Sequence, residues 1–263
     1  MRRKTGEWMD KPDKLPITEH LEELRTRLIL CVIAIAIGFI VSYAFKEKIF
    51  AILTRPLMEA MNQNGNMIFT GLPEAFFTYL KTAFLSGLIL ASPVIIYEFW
   101  MFIAPGLYKR ERRALFPAII LSFLFFTGGA LFGYFIVFPL GFKFFLGFAT
   151  GKIKALPSMR EYLTFATKLL LAFGVVFELP IIITFLARLG LVSVDFLKKN
   201  RKYAILVFFI LAAILTPPDV VTQVMLAMPL VLLYEISILG AKIFGKGKKR
   251  EADAESTGEE EKR

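Results

Sequence analysis

The sequence predicts an all-α integral membrane protein with six transmembrane helices and short interfacial helices in the first outer loop. Three observations carry that expectation. Of 263 residues, 56% are hydrophobic and the mean hydropathy is +0.62, whereas soluble domains carry roughly 45–50% apolar residues. The apolar residues gather into runs near the roughly 20 residues that cross a bilayer core. The basic residues lie between those runs and not along one amphipathic face. The net charge of +10 therefore reads as membrane topology, and no nucleic acid is expected as a partner.

Residues 28–45 are uncharged throughout and form the first span. The second, 82–103, is interrupted late by Glu98, and the third, 114–138, is expected to end at Pro139. The fourth, 169–186, carries one charge, Glu178. Spans five and six, 203–215 and 220–241, are joined by TPPD, whose two prolines force a reversal. Thirteen residues in span five cover only about 20 Å as helix, so either the bilayer thins there or the helix starts in an aqueous recess. The outer loop 46–80 has apolar positions at helical spacing, expected as short interfacial helices broken by Pro56 and NQNGN. The chain thus divides into an amphipathic N-terminal segment (1–27), a six-span membrane domain (28–244) and a polar tail (245–263), expected to be disordered.

Of 32 Lys and Arg, 23 fall in segments on the side of the termini and seven on the other. That bias puts both termini in the cytoplasm of a multi-pass protein. Cys31 is read as a buried small hydrophobe, and one Cys with one His leaves little for metal or thiol chemistry. No metal, cofactor or catalytic residue is expected. Residues 74–96 and 161–183 share six identities in 23 positions at an offset of 87. Duplication of a two-helix unit and chance convergence of similar helices both account for them.

Two carboxylates carry the functional argument. Glu23 lies in HLEELRTRL before span one, and Glu111 in YKRERR after span two. A loop that only had to stay in the cytoplasm needs Lys and Arg alone, so acidic groups among guanidiniums suggest a receptor for something cationic. HLEELRTRL also fits a surface run-in helix whose charges are merely solvated. Glu178, mid-span, must be protonated, watered or paired. Asp219 follows the double proline and fits a helix N-cap, with Gln223 one turn on. Glu98 and Glu235 are near enough to the inner ends to meet water or a basic side chain.

Four motifs in order, HLEELRTRL, FIAPGLYKRERR, FGVVFELP and LTPPDVVTQ, resemble those of the TatC family, the multispanning core of the twin-arginine protein translocase. The resemblance covers about residues 16–245. It implies a concave bundle that binds twin-arginine signal peptides of folded precursor proteins, driven by the proton-motive force. It implies single-span TatA/TatB-type subunits, membrane lipids and further copies of the chain as partners, in the inner (cytoplasmic) membrane of a bacterium or archaeon. By motif, Glu23, Arg25, Phe102 and Glu111 correspond to signal-binding positions. Pro56, Glu178, Asp219 and Gln223 correspond to partner or translocation positions. Glu98 matches no motif.

The chemistry suits that role. Adjacent arginines present two planar forks for bidentate bonds to carboxylates, which lysines lack. The neighbouring Arg25, Arg110, Arg112 and Arg113 would repel an arbitrary basic peptide. Two other classes are weaker. A small-solute transporter has the repeat and Glu178 in its favour but no Gly-interrupted half-helix pair, and an intramembrane enzyme lacks paired aspartates, a zinc-binding His pair or a Ser-His pair.

Overall fold

α1 (Ile17–Ala44) is one helix of 28 residues, so HLEELRTRL and the first apolar run form a continuous element. The structure, a computed structural model, describes residues 17–61, 66–108, 112–149, 155–216 and 219–245. α3 (Glu74–Ile103) has 30 residues and packs along α1. Gly38 and Gly87 bring the two backbones together. A Cβ on Gly87 would come within 2.5 Å of the Phe39 nitrogen, and one on Gly38 within 2.5 Å of the Gly87 carbonyl oxygen. In lipid, such close approach supplies the packing that holds helices together.

α2 (Lys46–Ala60) runs through Pro56 without breaking, contrary to the sequence expectation. Pro56 has no N–H for the Ile52 carbonyl. The Tyr134 hydroxyl donates to that carbonyl at 2.6 Å, and the Tyr162 hydroxyl donates to the carbonyl of Leu53. Two tyrosines thus supply donors where the proline disturbs the ladder. Residues 62–65, most of the NQNGN stretch, lie outside the described residues.

The third apolar run also continues past its expected end. α4 (Leu115–Phe132) passes into a π-helical turn, Gly133–Val137, and then α5 (Phe138–Leu146). Pro139 sits in the first turn of α5. A first-turn proline needs no N–H partner, and the wide π turn ahead of it relieves the clash its ring would cause in a regular helix. Trp100, 1% exposed, ties α3 to α4 by donating its indole N–H to Ser122 Oγ at 2.9 Å.

The fourth run is two helices, α6 (Met159–Phe177) and α7 (Leu179–Leu189), which meet at Glu178. Pro180 in the first turn of α7 accounts for the break. Gly190, at φ +80°, closes α7 in the left-handed conformation that glycine adopts most readily. α8 (Val194–Lys199), α9 (Arg201–Leu215) and α10 (Val220–Phe244) follow. Among the described residues, five helical stretches are long and apolar enough to cross a membrane. α9, with 15 residues, covers about 22 Å and is the short sixth.

The chain forms two compact units, Met1–Gly174 and Val175–Arg263. In the first, Glu74 fastens the end of the long loop to the start of α6. One carboxylate oxygen accepts from Thr70 N–H (2.7 Å), the Thr70 hydroxyl (3.0 Å) and Gly71 N–H (3.3 Å). The other accepts from the Ser158 hydroxyl (2.7 Å) and Arg160 N–H (3.0 Å), beside a parallel bridge between Ile68 and Ser158. In the second unit α10 packs on α7 and α9, with Gly240 against Thr184. The Tyr234 hydroxyl donates to the Leu197 carbonyl at 2.9 Å.

The repeated segments share one physical feature. Gly87 meets α1, and Gly174 meets the Phe126 ring at 2.8 Å from where a Cβ would stand, so both glycines mark helix crossings. Their acidic partners differ: Glu74 is buried, and Glu161 is exposed.

Candidate functional site

Helical spacing assembles the site from two antiparallel elements. His20, Glu23 and Arg27 share one face of α1 at steps of three and four, and Glu98 and Phe102 share a face of α3. Arg27 joins the two helices. Its Nε and Nη2 donate to Glu23 Oε1 at 3.0 and 2.6 Å, and its Nη1 donates to Glu98 Oε2 at 2.8 Å. The Glu23 side chain is 20% exposed and that of Glu98 10%, so one guanidinium serves two half-withdrawn carboxylates.

The second oxygen of Glu23 stands apart. Oε2 is buried and has no hydrogen-bond partner among the described residues, and His20 Nδ1 lies 3.6 Å away. A buried acceptor left unmet costs about 1–3 kcal/mol, so such an atom marks a place prepared for a donor. The His20 ring stacks on Phe102, with centroids 4.3 Å apart and planes at 16°. An open recess of about 510 Å³ is lined by Glu19, Glu22, Glu23, Glu98 and Arg27 among others. With four carboxylates and one guanidinium, the recess attracts cations.

The sequence-derived positions distribute as follows. Glu23 and Phe102 come together through His20. Arg25 is exposed, and Arg27, two residues on, takes Glu23 instead. Glu111 lies outside the described residues; just after it, the Arg112 N–H donates to the Tyr108 carbonyl at 3.1 Å. Pro56 sits inside α2, and Glu178 at the junction of α6 and α7. Asp219 is the N-cap of α10, accepting from Thr222 N–H at 2.7 Å and from the Thr222 hydroxyl. Gln223 donates to the Phe209 carbonyl at 3.0 Å, tying α10 to α9. Glu235 meets Arg201 at 2.7 Å on an exposed face.

Arg27 and His20 were not singled out in the sequence as site residues. A signal was present for Arg27, since Glu23 and Arg27 stand four apart with the acid first, the favoured order for an ion pair on a helix. Glu98 was noticed but had no assigned partner.

Comparison with known proteins matches residues 19–229 to the family described as Sec-independent protein translocase protein (TatC). The chain belongs to the TatC family. A Sec-independent protein translocase protein TatC from Desulforapulum autotrophicum is 63% identical over 247 residues, covering 94% of this chain and 91% of that protein. Its counterpart in Escherichia coli is 40% identical over 255 residues, covering 97% and 99%. The crystal structure of a twin-arginine translocase receptor TatC superposes with a TM-score of 0.78 at 43% identity, covering 86% of this chain and 99% of that one. The chain is thus a membrane-spanning protein of a protein-transport family.

Proposed function

We propose that this chain is the receptor core of a twin-arginine translocase and binds the signal peptides of folded precursors at the Glu23 recess. The observation that carries the reading is Glu23 itself, a half-withdrawn carboxylate with one oxygen unmet, at the rim of an acidic recess. One signal arginine bonds to Glu23 and the other to Glu111, and the stacked His20–Phe102 pair offers a flat wall for the peptide. Both termini and this recess face the cytoplasm, and the protein lies in the inner membrane. It works with single-span TatA/TatB-type subunits and further copies of itself, drawing on the proton-motive force, and it is not an enzyme. Pro56, Glu178, Asp219 and Gln223 serve partner assembly or translocation.

Precursor binding tests this at matched membrane levels. A charge-assisted hydrogen bond is worth about 1.5–3 kcal/mol, so Glu23→Gln or Glu111→Gln weakens a twin-arginine precursor about 10- to 150-fold. Insertion and folding stay intact. Glu111→Arg is worse, because it adds repulsion. Variants that bind like the unmodified chain and still reject a twin-lysine signal would place recognition elsewhere.

A further inference from the structure

The ligand recognised by the proposed site is an arginine fork, and the structure already holds one there. We propose that Arg27 is an internal stand-in for the signal arginine: it occupies Glu23 in the empty receptor, and the incoming arginine displaces it onto Glu98. This rests on the receptor reading above and adds a specificity-determining residue to it.

The geometry supports exchange over a fixed tie. Both Arg27 contacts to Glu23 fall on Oε1, at 3.0 and 2.6 Å, and Oε2 is left unmet. Oε2 is closed to solvent, so an incoming guanidinium takes it up as the Glu23 side chain turns out of its bond to Arg27. Arg27 also has somewhere to go, because its third nitrogen is already on Glu98 at 2.8 Å. Rotating the fork fully onto Glu98 turns a shared cation into a private one. Charge agrees with this. Glu23, Glu98 and Arg27 sum to one negative charge, and a single added guanidinium neutralises them. The displaced arginine stays beside a carboxylate and is never buried unpaired, a state that would be costly.

Exchange also explains how the site discriminates. A ligand must outcompete a two-pronged arginine for Glu23. An arginine replaces like with like, whereas a lysine ammonium has the charge without the planar fork. Arg27 is thus a positioning residue that raises the threshold for every ligand and raises it most for lysine.

The test measures binding of twin-arginine and twin-lysine signal peptides to the detergent-purified full chain and to single variants. Arg27→Gln should bind the twin-arginine peptide about tenfold more tightly, and its preference over twin-lysine should shrink by a similar factor. Arg27→Lys, which keeps the charge that Glu23 and Glu98 need for folding, should show the same two changes at smaller size. Glu98→Gln should weaken twin-arginine binding about fivefold, because Arg27 then stays on Glu23.

If Arg27→Gln and Arg27→Lys, with the thermal unfolding midpoint of the unmodified chain, bind both peptides as it does or more weakly, Arg27 is a structural tie and the exchange is wrong. If Arg27→Gln fails to fold, Arg27→Lys alone decides by the same criterion. Glu23→Gln separates the two readings. Unchanged binding there overturns the receptor site itself, whereas lost binding there without a gain in the Arg27 variants overturns only the exchange.

Discussion

Glu74 and Glu178 are both carboxylates at helix starts, and their surroundings give them different work. Glu74 accepts five hydrogen bonds across the loop, the α3 start and the α6 start. A Gln there presents an amide NH₂ to donors whichever way it turns, so one of the two clusters loses its acceptor. Glu74→Gln is expected to lower the thermal unfolding midpoint in detergent and to open residues 66–72 to limited proteolysis. Signal-peptide affinity should not change, since Glu74 is at the opposite end of α3 from Glu98. Glu178 instead sits where α6 gives way to α7, amid apolar neighbours and away from the Glu23 recess in sequence. Glu178→Ala is expected to keep precursor binding and to reduce transport in intact cells; transport at the normal rate would leave it a structural role at most.

At the scale of the element, prolines separate what the sequence could tell from what it could not. Hydropathy runs marked every long helix, because the need for apolar length is local. Pro56 and Pro139 were misjudged because the effect of a proline depends on what stands near the disturbed carbonyl. For Pro56 the donors are Tyr134 and Tyr162, which lie 82 and 109 residues from their acceptors. Arg27 in place of Arg25 was half legible. Helical spacing puts Arg27, and not Arg25, on the Glu23 face, but only the register of α1 against α3 decides that it also reaches Glu98. Asp219, by contrast, was legible as an N-cap, because its partner Thr222 is three residues on.

The account of Pro56 is testable as a coupling. Tyr134→Phe removes the donor to Ile52 and should cost about 1 kcal/mol of stability. Pro56→Ala restores an N–H for that carbonyl, so Tyr134→Phe should cost appreciably less in its background. Additive losses, measured as unfolding midpoints of the two single variants and the double, would mean that the tyrosine does not compensate for the proline.

For the whole molecule, charge is the physical handle on orientation. Each long apolar helix is stable in lipid either way up, because its backbone bonds are internal. The flanking Lys and Arg break that symmetry, with 23 on the side of the termini against seven. Antiparallel pairing of α1 and α3 fixes which loops share a side. The segment before Glu74 and the start of α6 are tied together, at the opposite end of α3 from Tyr108. Leu72, 96% exposed, and Ala149, also exposed, report on the first side and Tyr108, exposed, on the second; the charge bias alone assigns exposed Lys198 to the side of the termini. With Cys31 replaced by Ser, a membrane-impermeant maleimide added to intact cells should label Leu72→Cys and Ala149→Cys. Tyr108→Cys and Lys198→Cys should react only after permeabilisation. Labelling of Tyr108→Cys from outside would invert the topology. It would also place the Glu23 recess on the side where no unexported precursor can reach it, so the receptor reading would fall with the orientation.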